Sequence, residues 1–235
     1  MSERTPAGRS RFLAHRVVRG VLWSIAGLLV LALAVGAYVA WPILFPGPSG
    51  LSGQQPVSGF PHSVEATGED GRTRTLSVAG YDGADVDLSR LQPGDRVVVS
   101  GAGFDPNQGV YVAVCAIPDD PTMRPGPCLG GVPGAEVTDS EIAEDAGEEV
   151  VTEGERAPQW AAANWINDDW AWKLFGARGF DDRELGTFTA YIEVPAAADE
   201  YVDCRREECG LFTRNDHTAI DNRMQDLYLP VSFPR

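Results

Sequence analysis

The chain holds one lysine, three histidines and four cysteines among 235 residues. Each scarcity closes off some chemistry. Two of the histidines, His62 and His217, lie beyond residue 20. No H-E-x-x-H, G-x-S-x-G, P-loop or G-x-G-x-x-G pattern occurs, so the usual signatures of zinc peptidases, hydrolases, NTPases and dinucleotide enzymes are missing. No C-x-x-C spacing exists, and His217 stands eight residues past Cys209. That argues against zinc. Lys173 is the single lysine and every other basic residue is Arg. This is a bias of composition with no mechanism attached.

Charge is also absent over a long stretch. Arg19 is the last charged residue before it and Glu65 the first after it. Within it, Val21 to Ile43 is a run of 23 mostly apolar residues. As a helix it would be about 34 Å long at about 1.5 Å per residue, enough for a hydrocarbon core of about 30 Å. Arg4, Arg9, Arg11, Arg16 and Arg19 precede it against the one acid Glu3. That bias places the N-terminus in the cytoplasm. Trp23 and Trp41 sit near the two ends, where interfacial aromatic residues belong. A cleaved signal peptide stays open as the alternative, since Val35-Gly36-Ala37 is a weak small-residue cleavage site. No cysteine follows the run directly, which excludes a lipoprotein anchor.

The chain carries net charge −15, and its first twenty residues contribute +4, so the remainder carries −19. So acidic a domain repels nucleic acid and anionic lipid surfaces. All four cysteines, Cys115, Cys128, Cys204 and Cys209, follow the apolar run. An even number in an oxidising compartment reads as two disulfides.

After the run the chain reads in blocks: a cytoplasmic basic tail over 1–20, a transmembrane helix over 21–44, and a Pro/Gly/Ser-rich stalk over 45–59. Next come an N-terminal β-hairpin extension over 60–90 and a sandwich over 91–235, with an acidic and Trp-rich insertion at 130–178. His62–Thr67 and Arg72–Ala79 flank Glu69-Asp70-Gly71, a hairpin turn. Arg96–Ser100, Gly109–Ala116, Gly186–Val194, Leu211–Thr213 and Asp226–Phe233 read as strands. Pro230 puts the last of these at an edge or a bulge. Many short strands between Gly/Pro turns predict an all-β sandwich with one N-terminal transmembrane helix.

The insertion opens with Glu136 to Arg156, nine acids and one base. Its spacing does not match a calcium loop. Then come Trp160, Trp165, Trp170 and Trp172, with Phe175 close behind. These rings either pack onto the sandwich or form an exposed binding ledge; the sequence leaves both open. His217, in Asn215-Asp216-His217, is the candidate ligand contact, against a plain turn reading of the same three residues. Paired acids such as Asp168-Asp169 and Asp181-Asp182 read as solvated loop residues.

Several segments between Leu91 and Phe233 resemble a known family. They are Gly101-Ala-Gly-Phe104 with the Gly109–Cys115 strand, Pro127-Cys128-Leu129-Gly130-Gly131, and Val202-Asp203-Cys204 with Cys209. Phe212 to His217 (FTRNDH) and Gln225-Asp226 complete the set. Together they resemble the neocarzinostatin-like module of actinobacterial cell-envelope proteins, and Trp165-Ile166-Asn167 with Phe212 to His217 looks closer to a subset found at the end of some haem-transport-associated surface proteins. The resemblance implies a seven-stranded immunoglobulin-like sandwich with Cys115 bonded to Cys128 and Cys204 to Cys209. It also implies loss of the family's antibiotic pocket. Ile117 stands where the antibiotic carrier has an aromatic residue, and its long aromatic loop is reduced to Pro195–Tyr201 (PAAADEY).

The expectation is a membrane-anchored extracytoplasmic binding module, not an enzyme, with no cofactor, no metal and no nucleic acid. It contacts membrane lipid through the helix and another envelope or membrane-complex protein through its outer domain. A small-molecule or haem-related binding role is the alternative, and a hydrolase the third. Washing membranes with alkaline carbonate should leave the full-length protein in the pellet. A soluble mature form beginning near Tyr38 would overturn the anchor.

Overall fold

The computed structural model describes residues 9–45, 49–81, 83–131 and 160–234. The acidic stretch Glu136 to Arg156 and the first eight residues of the basic tail lie outside them. Helix α1 runs from Arg9–Leu44. Its segment Val18–Trp41, 24 residues of mean hydropathy 2.2, is long and apolar enough to cross a membrane.

The chain from residue 46 onward is a separate compact unit. Its strands are β1 (Ser63–Thr67), β2 (Thr73–Gly80), β3 (Arg96–Ala102), β4 (Val110–Ala116), β5 (Ala163–Ile166), β6 (Phe188–Glu193), β7 (Cys209–Asn215) and β8 (Tyr228–Val231). They form two four-stranded antiparallel sheets, in the orders β1-β2-β3-β6 and β5-β4-β7-β8. Alternation explains the packing. Leu76, Val78, Val97, Val99, Ala190 and Ile192 of the first sheet join Val110, Val112, Val114, Leu211 and Leu229 of the second in one buried core. Gly101 opposes Phe188 across β3 and β6, and a Cβ there would sit 2.2 Å from the ring, so only glycine fits. Phe188 then packs edge-on against Phe104, with centroids 5.0 Å apart.

The expected hairpin is present as β1–β2, and Gly71 sits at φ 76° in its turn. It belongs to the sandwich itself, because β2 lies between β1 and β3. Among the described residues there are therefore eight strands, against the seven that the family resemblance implies. Strand β7 is longer than the expected Leu211–Thr213. Pro230 lies on β8, an edge strand, and there its missing N–H breaks no ladder bond. Strand β5 falls inside the tryptophan-rich segment, where the sequence pattern predicts none.

Sheet edges are covered by particular side chains. On β8, the Gln54 side-chain amide donates to Tyr228 O at 2.8 Å and accepts from Tyr228 N–H at 2.8 Å. On β6, Asn164 donates to Tyr191 O at 3.1 Å and accepts from Tyr191 N–H at 2.9 Å. Each amide therefore stands in for one residue of a missing strand. Gln54 can do this because residues 49–59, read from composition as a stalk, lie along the domain. Glu69 N–H donates to Leu51 O and Arg223 N–H to Gly50 O. A segment poor in apolar side chains is held here by backbone and amide hydrogen bonds instead.

Replacing Gln54 with Ala leaves Tyr228 N–H and C=O without that partner at a partly covered edge. The expected cost is about 1 kcal/mol of stability, within the range for one lost hydrogen-bonded group. Faster amide exchange at Tyr228 in the variant would accompany it. Unchanged exchange there would show that the cap is not formed in solution.

Candidate binding face

Strand β4 is buried on both faces. Its even positions enter the inter-sheet core, while Tyr111, Ala113 and Cys115 point into a second apolar cluster on the outer face of its sheet. Register places that cluster in rows. Trp165, Tyr111 and Arg214 align across β5, β4 and β7. Ala163, Ala113, Phe212 and Tyr228 form the next row, extended to β8. Phe212 and Tyr228 stack at 4.9 Å and 24°. The two small residues leave room for large rings on either side of them.

One disulfide lies in this outer cluster and the other in the inter-sheet core. Cys115 is bonded to Cys128 and Cys204 to Cys209. The first closes a 13-residue separation and ties the loop between its cysteines to the end of β4. A loop of that size is worth about 3 kcal/mol in the chain-entropy treatment. The second closes the turn that leads into β7.

His217 stands at the open end of the aromatic row. Its Nδ1 lies 2.8 Å from the Tyr111 hydroxyl. Its ring meets Trp172 edge-on at 4.7 Å and Trp165 at 5.2 Å. It is a half-buried ring with one nitrogen and much of its surface already engaged. Burial raises the Tyr111 hydroxyl pKa above its ordinary value, and the Asp216 charge adds to the shift. The phenol thus stays protonated.

Asp216 organises the neighbourhood. It is fully buried. Its Oδ1 accepts from Thr218 N–H at 2.9 Å and Thr218 Oγ1 at 2.6 Å, which is turn chemistry. Its Oδ2 accepts from Trp165 Nε1 and Asn167 Nδ2, each at 2.9 Å. Four donors compensate the buried carboxylate. Gly109 is needed beside it, since a Cβ there would lie 1.9 Å from Asp216 Oδ2.

Past β5 the chain makes the single-turn helix α2 (Trp170–Lys173), with Asp169 as N-cap accepting from Ala171 N–H at 2.8 Å. Beneath it, Asp168 pairs with Lys173 Nζ and Arg183 Nη1, both at 2.8 Å. One side of this turn faces inward. Trp172 packs on Trp165 at 5.7 Å. The other side faces water: Trp170 is 54 % exposed, Leu174 75 % and Phe175 72 %.

The five aromatic residues singled out from the sequence therefore divide three ways. Trp165, 8 % exposed, and Trp172 belong to the covered cluster. Trp170 and Phe175 belong to the exposed ledge. Trp160 packs edge-on against Tyr191 and Tyr81, at 5.3 and 5.1 Å, with the Arg96 guanidinium 5.2 Å from its ring. It thus sits against strands of the first sheet. Asp168 is a nearly buried ion-pair hub, not a solvated loop acid. Sequence reasoning did not single out Tyr111 or Leu174. Tyr111 had a readable signal, because the unbroken apolar run of β4 is typical of a strand covered on both faces.

Beside this face, Asp226 is buried with Arg223 Nη1 3.1 Å from its Oδ2. Burial outweighs that attraction and pushes its carboxyl up to about 7. In the unfolded chain the group ionises near pH 4. Between those values the folded protein holds a proton that the unfolded chain has released, so this group's contribution to stability falls as pH rises through the window. In thermal scans, the melting temperature of Asp226→Asn relative to the parent should increase from pH 4 to pH 7 and level off above. A difference independent of pH would show that Arg223 keeps the carboxylate ionised throughout.

Comparison with protein-family models, with curated proteins and with solved structures finds no match for this chain.

Proposed function

We propose that the chain is a membrane-anchored, extracytoplasmic binding module of the cell envelope that engages another envelope or membrane-complex protein. In this reading α1 is the anchor, its basic flank stays in the cytoplasm, and the sandwich works outside. The sandwich is of the immunoglobulin-like, neocarzinostatin-like type. The family resemblance supports that type, as does the placing of both cysteine pairs at the β4–β7 end of one sheet.

The observation that carries the reading is the ledge of Trp170, Leu174 and Phe175. Large apolar side chains exposed together on one turn mark interaction surfaces. This turn is also held in place, by its N-cap, by the two ion pairs of Asp168 and by Trp172 packed beneath. A surface ordered before binding loses less entropy when a partner arrives. The acidity of the outer chain favours a partner with an apolar pocket and a neutral or basic rim.

The test places a photo-crosslinking amino acid at position 174 of the full-length chain in native membranes. One discrete adduct is expected, and Trp170→Ala or Phe175→Ala should reduce it at least about tenfold, as loss of a hot-spot side chain does. Neither variant should change the melting temperature appreciably. Trp165→Ala should behave differently and cost about 3–5 kcal/mol of stability. If a probe at exposed Tyr81 gives the same adduct, or both ledge variants retain it, the reading is wrong.

A further inference from the structure

Two arginines on this face have no counter-ion among the described residues. Arg214 belongs to the Trp165–Tyr111–Arg214 row, and Arg124 lies in the loop closed by Cys115 and Cys128. Both are half-buried. Their side chains cross. Arg214 Nη1 donates to Pro125 O at 2.6 Å, next to Arg124. Arg124 Nη2 donates to Asn215 O at 3.4 Å, next to Arg214. Two guanidiniums are thereby held side by side.

The nearby acids are already engaged. Asp226 pairs with Arg223, and Asp216 accepts four hydrogen bonds from other groups. Among the described residues no carboxylate lies within ion-pair distance of Arg124 or Arg214. The Nε of each is closed off from solvent with no acceptor among those residues. Burial lowers both pKa values, that of Arg214 to about 10; the Arg124 charge adds to the shift of Arg214, and the Arg223 charge to that of Arg124. Half-buried cations are ordinarily paired, because losing hydration without a counter-charge is costly. Among the described residues the two stand together without one, the arrangement an anion would complete.

We infer that Arg124 and Arg214 form a binding site for an oxyanion, the carboxylate or phosphate group of a small ligand. Arg124 Nη1 and Arg214 Nη2, which have no acceptor among the described residues, are the donors that face it. Guanidinium pairs suit planar or tetrahedral oxyanions, because each presents several donors in a fixed plane. Tyr111, the cross-strand neighbour of Arg214, borders the site. This site is independent of the ledge, and the two succeed or fail separately.

The probes are sodium phosphate and sodium acetate, titrated against sodium chloride at equal ionic strength. The full chain is used in nanodiscs of zwitterionic lipid, which adds no anionic headgroup. At about ten times the dissociation constant the bound anion should raise the melting temperature by about 3–5 °C. The Arg124 and Arg214 Nε–H signals should shift in NMR spectra. A response to acetate alone assigns a carboxylate, and a response to phosphate alone assigns a phosphate. Arg124→Gln and Arg214→Gln should each abolish the response, while Arg206→Gln, whose side chain is 86 % exposed, should keep it. If Arg214→Gln does not fold, Arg124→Gln in the loop decides. Equal shifts with chloride, or an undiminished response in Arg124→Gln, would overturn the site.

Discussion

Burial of β4 on both faces is the constraint on which the rest of the outer domain depends. A two-layer sandwich normally covers one face of each sheet and leaves the other to water. Here Tyr111, Ala113 and Cys115 need a second cover. The chain supplies it with the Trp165 ring from neighbouring β5, with the loop tied down by Cys128, and with the turn that carries Trp172. Each of these sits where it does because an apolar surface beneath it would otherwise be wet. The proposed binding face is thus the outside of a covering layer that the fold already requires.

Asp216 joins that layer to the strands below. Its two oxygens face different tasks, one shaping the turn after β7 and the other holding the Trp165 indole and the Asn167 amide. Trp165 in turn supports Trp172 and borders His217. A carboxylate buried among four neutral donors is worth keeping only if all four stay in place. The tryptophans therefore take their positions from a polar group, although burial of their rings supplies most of the energy.

The strands were legible where local signals agreed. The β1–β2 hairpin has a turn that demands φ > 0, β4 is an unbroken apolar run, β6 alternates, and Pro230 marks an edge. β5 was not legible. Its residues Ala163, Asn164, Trp165 and Ile166 are all buried, and so show no alternation. The strand exists because β4 offers a free edge and Asn164 bridges to β6, both long-range facts. Residues 49–59 were misread from composition for a related reason. Proline, glycine and glutamine predict little core, yet one glutamine amide placed against Tyr228 serves as an edge cap. The candidate site was half legible. The aromatic density was visible, but which rings face inward depends on Asp216, fifty-one residues from Trp165 along the chain.

The same division between inward and outward rings bears on how such a surface changes without loss of the fold. Trp165 and Trp172 are fixed by packing and by Asp216, so substitutions there disturb the cover of β4. Trp170, Leu174 and Phe175 sit two or three residues from Trp172 and are exposed. In a turn that alternates so closely between support and display, the outward positions are free to take other side chains at little cost in stability. The N-cap of Asp169 and the ion pairs of Asp168 keep the turn in shape whichever side chains it shows. In the proposed function, a covering layer forced on the domain by its own hydrophobic strand thereby becomes a mount on which recognition residues can vary.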